Sequence, residues 1–209
     1  MSDIKIGKIT LGVCATNTYF IYKEGEKKAV LVDPADQGEL ICSKLDEQGI
    51  EVGAIILTHG HFDHIWGVEA VKERTEAKIY ASEDEGNLLK DSKLNCSLGC
   101  GRACTIEPDV WLKDEETVSL CGIDIKMLKT PGHTEGSCCY YVEEAGFLVS
   151  GDTLFCESVG RTDLPTGSMS AIVRSIKEKL MPLSDNIKVY PGHGGSTTIG
   201  YERDNNPFL

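Results

Sequence analysis

The stretch Val52-Gly53-Ala54-Ile55-Ile56-Leu57-Thr58-His59-Gly60-His61-Phe62-Asp63-His64 decides how this chain is read. Its first six residues form an apolar run of strand length, and Ile65-Trp66-Gly67-Val68-Glu69-Ala70-Val71 beyond it repeats apolar residues at helical spacing. Three histidines and an aspartate are therefore packed into a strand-to-helix loop. Imidazole nitrogen is the commonest protein ligand for zinc and suits iron as well. A carboxylate adds a harder ligand and a negative charge that offsets a dication.

Working outward, the same arrangement recurs. Ile123 to Leu128 leads to Thr130-Pro131-Gly132-His133, Phe147-Leu148-Val149 leads to Ser150-Gly151-Asp152, and Ile187 to Tyr190 leads to Pro191-Gly192-His193-Gly194. Four apolar runs each deliver a candidate ligand just past their last residue, and all 5 histidines of the chain are used in this way. Strands of one sheet ending on a common edge would bring these groups together. Glycine beside each group permits close backbone approach. A structural zinc site closes tetrahedrally and favours thiolates, whereas a set of histidines and aspartates leaves room for water, which favours catalysis.

The remaining pattern is that of mixed α and β structure. Ile4 to Leu11, Thr18 to Tyr22, Ala29 to Val32, Thr117 to Leu120 and Cys138 to Val142 read as further strands. Asp36 with Glu39 has the spacing of a capping box opening a helix to about Gln48, and Ser82 with Glu85 repeats it. Asp91 to Pro108 is irregular. Ala171 to Leu180 carries Ile172, Val173, Ile176 and Leu180 near one helical face. With 209 residues and no linker or low-complexity segment, residues 1–209 are expected to form a single domain.

Charge and cysteine usage narrow the function. A formal net charge of −12 argues against nucleic-acid substrates, which are held through lysine and arginine. No apolar run has transmembrane length and Met1 to Gly12 has no signal-sequence pattern, so no membrane association and a cytoplasmic location are expected. The 9 cysteines are then reduced thiols by default. Cys96, Cys100 and Cys104 recur every four residues, but Cys-x-x-Cys pairs are lacking and Gly99 and Gly101 weaken a helix there. Loop packing or thiol chemistry near a substrate entrance is the expectation. Cys14, Cys42, Cys121, Cys138, Cys139 and Cys156 read as small buried residues.

His-x-His-x-Asp-His followed at a distance by His133, Asp152 and His193 resembles the metallo-β-lactamase-fold hydrolase superfamily over essentially the whole chain. Gly151-Asp152-Thr153-Leu154-Phe155, Gly160-Arg161-Thr162-Asp163-Leu164-Pro165, Pro191-Gly192-His193-Gly194, Tyr201-Glu202-Arg203 and Asn206-Pro207-Phe208-Leu209 are similar to its short glyoxalase II-like, or hydroxyacylglutathione hydrolase-like, branch. The resemblance implies an α/β fold, a four-layer αββα sandwich of two ββα halves with the site at their seam. It places His59, His61 and His133 on a first metal, Asp63, His64 and His193 on a second, and Asp152 as the bridge. Two divalent ions are implied, zinc first, with iron or manganese as alternatives.

The activity implied is hydrolysis of a thioester such as S-lactoylglutathione by a metal-activated hydroxide, with Asp63 as the catalytic group orienting it. A small-molecule substrate is the expected partner; the oligomeric state stays open. Full-length glyoxalase II carries a C-terminal helical extension that helps bind glutathione, and 16 residues follow His193 here, so the thiol carrier also stays open. The alternative is a mononuclear iron persulfide dioxygenase, which shares the Gly160-Arg161-Thr162-Asp163 segment. A lactonase and a non-catalytic metal-binding protein stand behind it. A zinc β-lactamase of the commonest type would carry cysteine in place of Asp152. Around the centre, Asp33 and Thr58 are expected to brace the histidine loop, and Arg161 with Asp163 to form a local ion pair or to meet a substrate carboxylate.

Overall fold

The computed structural model describes residues 3–209; Met1 and Ser2, the start of the segment read for a signal sequence, lie outside the described residues. A first sheet takes its six strands in sequence order: β1 (Ile4–Leu11), β2 (Thr16–Lys23), β3 (Lys28–Val32), β4 (Glu51–Leu57), β5 (Lys78–Ser82) and β6 (Val110–Leu112). The second contains β7 (Thr117–Leu120), β8 (Ile123–Lys129), β9 (Cys138–Val142) and β10 (Phe147–Gly151). After the small hairpin of β11 (Leu154–Phe155) and β12 (Ser158–Val159) come β13 (Lys188–Pro191) and β14 (Thr197–Thr198). Its order is β7-β8-β9-β10-β13-β14.

The apolar runs are continuous because each central strand is buried on both faces. Val30 and Val32 of β3, Ala54 and Ile56 of β4, and Phe147 and Val149 of β10 meet between the two sheets. Their neighbours Leu31, Ile55 and Leu57 point outward to α1 (Gly38–Asp46) and to α3 (Val68–Thr75), which follows the short α2 (Phe62–Ile65). Leu148 and Cys139 point the other way, onto Ile172 of α5 (Met169–Ser175) and onto Ile199 of α6 (Ile199–Asn205), the last helix after α4 (Gly86–Lys90). Helices, sheet, sheet and helices make the four-layer αββα sandwich.

Strand direction positions the site. β3 and β4 are parallel, and so are β10 and β13; β8 runs the same way as these last two because both β8 and β10 are antiparallel to β9. The C-terminal ends of β8, β10 and β13 therefore lie on one edge of the second sheet. Backbone bonds from Cys138 N to Thr58 O (2.9 Å) and from Asn17 N to Gly192 O (2.7 Å) tie that edge to the ends of β4 and β2 in the first sheet.

Several local expectations need correction. Neither capping box forms. Asp36 accepts from Gln37 N, Glu39 pairs with Arg74, and α1 is entered through Gln37 at φ +50. The Ser82 side chain caps nothing, and Glu85 is turned into the protein. The helix after Ile65 breaks at Gly67, whose N–H goes to Pro34 O at 2.8 Å. The helix read over Ala171 to Leu180 begins at Met169 and widens into a π-helical turn over Ile176–Leu180. Ile172, Ile176 and Leu180 are fully buried either way, because an apolar residue every fourth position faces the core in both geometries. Cys14 and Cys156 are exposed rather than buried, and Cys121 is half-buried, since all three lie in turns between strands.

Candidate metal centre

Each candidate side chain stands at the end of a strand. His59 and His61 follow β4, Asp63 and His64 lie in α2, His133 follows β8, Asp152 follows β10 and His193 follows β13. The ligand-capable atoms of His59, His61 and His133 lie within 4.8 Å of one another, and so do those of Asp63, His64 and His193. His61 Nδ1 is 2.8 Å from His133 Nε2. Asp152 stands between the sets, Oδ1 3.3 Å from His64 Nε2 and Oδ2 3.6 and 3.4 Å from the Nε2 atoms of His133 and His193. Close approach is built into the backbone at Gly192, where a Cβ would fall 2.2 Å from Asp152 Oδ1.

Four of the five rings are anchored through Nδ1. Thr58 Oγ1 donates its single proton to Asp33 Oδ2 at 2.6 Å, so it accepts from His59 Nδ1 at 3.1 Å. His64 Nδ1 donates to Asp33 Oδ2 (2.9 Å), His133 Nδ1 to Arg161 O (2.7 Å) and His193 Nδ1 to Cys14 O (3.1 Å). These partners accept, so the Nδ1 atoms carry hydrogen and the Nε2 atoms face the centre, free to ligate once deprotonated. Within it, His59 Nε2, His61 Nε2, His64 Nε2 and Asp152 Oδ1 are buried without a hydrogen-bond partner among the described residues. Buried polar atoms are rarely left so, and a converging set of imidazole and carboxylate donors fits divalent cations. Asp33, His59 and His64 also cluster, but both Asp33 oxygens are taken up by Thr58 and His64.

The electrostatics divide the two sets. Burial, then the neighbouring His64 and His133 rings, hold His59 well below the usual imidazole range. Burial and His133 take His61 down to about 3, and burial lowers His133. Burial opposes charge on His64 and His193 too, but Asp152 and Asp63 outweigh it, raising His64 strongly and His193 to about 9. The same pairs overcome burial at the carboxylates, holding Asp152 well below the usual range and Asp63 at about 2. The three-histidine set thus presents neutral imidazoles and the other set presents anionic oxygens.

The residues expected to surround the centre divide likewise. Asp33 accepts from Thr58 N at 2.8 Å as well as from Thr58 Oγ1 and His64, and so braces both the loop and one ring. Arg161 grips Asp163 with Nε and Nη2, each at 2.7 Å, and reaches the centre through its carbonyl on His133. Cys96, Cys100 and Cys104 lie in a bend, a turn and irregular backbone, not on a helix face, and none joins a metal-capable cluster among the described residues. Cys14, exposed and with its carbonyl on His193 Nδ1, stands at the rim of the centre, and burial and then the Asp63 charge push its thiol up.

Three further residues escape a reading of the sequence. Thr16 Oγ1 donates to Asp63 Oδ2 at 2.8 Å. Asn17 Nδ2 holds Pro191 O and Gly194 O at 3.0 and 3.1 Å, fixing the His193 loop. Glu85 holds Gly60 N at 2.7 Å and Gly136 N at 2.9 Å, and burial pushes its carboxyl up to about 7. No helix among the described residues is long and apolar enough to cross a membrane.

A family profile described as the metallo-beta-lactamase superfamily matches residues 11–193. The chain is 34% identical over 189 residues to the hydroxyacylglutathione hydrolase GloC of Haemophilus influenzae, covering 89% of each. It is also similar to the crystal structure of BLEG-1 B3 metallo-beta-lactamase, with a TM-score of 0.93, 38% identity and coverage of 98% of this chain and 99% of that one. TTHA1623, solved in a di-iron-bound form, matches with a TM-score of 0.87 and 32% identity over 97% of this chain and 100% of that one.

Proposed function

The chain belongs to the metallo-β-lactamase superfamily of metallo-hydrolases, and from that premise we propose that it is a dinuclear metal-dependent hydrolase cleaving a thioester of the S-lactoylglutathione or hydroxyacyl type. The observation that carries the reading is the position of Asp152 between two imidazole sets whose Nε2 atoms face inward, the second set completed by the anionic Asp63. His59, His61 and His133 would hold one divalent ion, Asp63, His64 and His193 the other, and Asp152 would bridge them. Zinc is the first choice, with iron or manganese as alternatives. When bound, such ions lower the pKa of water and polarise the attacked carbonyl.

The chain's own residues do the positioning. Asp63, steadied by Thr16 and 3.3 Å from His193 Nε2, orients the attacking water. Asp33 and the carbonyls of Arg161 and Cys14 keep the rings turned so that no lone pair is lost to a wrong tautomer. The name of GloC, a hydroxyacylglutathione hydrolase, supports a thioester, and the di-iron form of TTHA1623 supports two ions. BLEG-1 favours a second reading, β-lactam hydrolysis, in which the same centre attacks an amide carbonyl. The acidic surface fits a small-molecule substrate, and nine free thiols fit the cytoplasm.

The test is thiol release from S-lactoylglutathione by zinc-loaded protein under nitrogen, with a β-lactam assayed in parallel. Asp63→Ala is expected to slow thiol release at least roughly a hundredfold, as for loss of a positioned catalytic group. Elemental analysis should find close to two ions per chain. Saturation at one ion refutes the dinuclear reading, and faster β-lactam opening favours the second reading. Iron-dependent oxygen uptake with glutathione persulfide, and no thioester cleavage, would install the persulfide dioxygenase instead.

A further inference from the structure

Glu85 closes a single tight turn, Glu83–Glu85, between β5 and α4, and it is 1% exposed. Oε1 accepts from Gly60 N at 2.7 Å, Oε2 accepts from Gly136 N at 2.9 Å, and the Thr134 hydroxyl lies 2.9 Å from both oxygens. Gly60 separates His59 from His61, and Thr134 to Gly136 directly follow His133. One carboxylate therefore ties the loop after β4 to the loop after β8, the two loops that bear the all-imidazole set. The fit is close on the second side, where a Cβ on Gly136 would fall 2.3 Å from Glu85 N and 2.5 Å from its Cα.

The donors define the requirement. Two are backbone N–H groups that cannot turn to accept, and all three are neutral, so the site needs an acceptor on each side. Glutamine would set an N–H against one of the two amides. We propose that Glu85 is a positioning residue that sets the spacing of His59 and His61 against His133, and with it the affinity of that set for its ion. The proposal rests on the two-ion reading, and its test separates the two.

The experiment compares wild type, Glu85→Gln and Glu202→Gln after zinc loading, by dialysis against graded EDTA, elemental analysis of retained zinc and melting temperature. Glu202 is a matched control: it is fully buried on α6 and holds Glu157 N, Thr197 Oγ1 and Asn206 Nδ2, away from the centre. Glu85→Gln is expected to release one of its two ions at roughly 10–100-fold lower EDTA, the scale of losing an outer-shell partner, while the other ion is held as in wild type. Glu202→Gln should lose melting temperature but keep both ions. Unchanged zinc retention in Glu85→Gln, or parallel loss in Glu202→Gln, overturns the proposal. Should Glu85→Gln fail to fold, Thr134→Val removes the hydroxyl that bridges the two oxygens, and unchanged zinc retention there overturns it equally. A wild type holding one ion refutes the two-ion reading alone; Glu85→Gln must still weaken that ion.

Discussion

Asp33→Asn changes one atom of the centre's scaffold and should remove one ion selectively. Asp33 is 2% exposed and accepts three hydrogen bonds, from Thr58 N (2.8 Å), Thr58 Oγ1 (2.6 Å) and His64 Nδ1 (2.9 Å). Asparagine can keep its oxygen on Thr58 N, but its NH2 then meets His64 Nδ1, which must become the acceptor. The proton moves to Nε2, the lone pair facing Asp63 and Asp152 is lost, and a ligand of the second set is gone. A tenfold to hundredfold loss of affinity corresponds to about 1.4–2.8 kcal/mol. The opposite amide rotamer instead sets NH2 against the buried Thr58 N–H, at a cost of about 1–3 kcal/mol. Asp33→Ala is less informative, because it leaves both Thr58 donors unpaired and threatens a fold worth about 5–15 kcal/mol. The assay is zinc retained per chain against EDTA, with thioester turnover measured on the same samples. The folded Asn variant should hold one ion as wild type does, release the other early, and lose turnover in step. Two ions held at wild-type strength with turnover within about threefold would refute the tautomer argument; both ions lost together would refute its selectivity.

Changing Cys96, Cys100 and Cys104 together to serine should leave zinc content and most turnover intact, since none of them joins a metal-capable cluster. A visible iron–sulfur absorption lost in that variant would contradict this. Metal-stripped wild type should lose stability relative to metal-stripped Glu85→Gln as pH rises from about 4.5 to 7. Glu85 has its carboxyl raised from its ordinary 4.5 to about 7, so the folded chain binds the extra proton in this window; the contribution of this group is full below it and falls by about 3 kcal/mol across it. Chemical denaturation of both proteins at pH 5 and 7.5 should show that shift in their difference, since the substituted glutamine is neutral throughout and the other groups are shared; an unchanged difference would contradict the assignment. In both proteins the depressed His59 and His61 contribute stability that is gained as pH rises toward 6.5, whereas His193, raised to about 9, contributes stability that is lost as pH climbs through that value.

The candidate centre was legible because its residue types are scarce and sit where strands end. Val30 to Val32, Ile55 to Leu57 and Leu148 to Val149 are buried on both faces, so they read as unbroken apolar runs, and the group past each run was a natural suspect. What escaped was set by contacts distant in sequence. Thr16 and Asp63 are 47 positions apart, Asn17 and Pro191 174, and nothing local marks either pair. Glu85 was hidden by ambiguity: Ser-x-x-Glu before an apolar pair looks the same whether the carboxylate caps a helix or turns inward to Gly60 and Gly136. Lys78 to Ser82, Val110 to Leu112 and Thr197 to Thr198 are too short or too polar to show a strand period, and they pair because longer neighbours template them.

The anchors of the four Nδ1-held rings also differ in kind, which bears on where this centre can vary. His64 is held by a buried carboxylate directly, and His59 by the Thr58 hydroxyl, with the same carboxylate one bond further away. His133 and His193 are held by the main-chain carbonyls of Arg161 and Cys14, which any side chain at those positions would still supply. The Arg161 guanidinium, bound to Asp163 and 62% exposed, and the exposed Cys14 thiol are therefore free of the scaffold duty their backbones perform. Positions that hold the rings through the backbone can change side chain to suit a substrate without disturbing the centre. The rim formed by Cys14 and Arg161 is accordingly where chains sharing this centre can diverge in the molecule they accept.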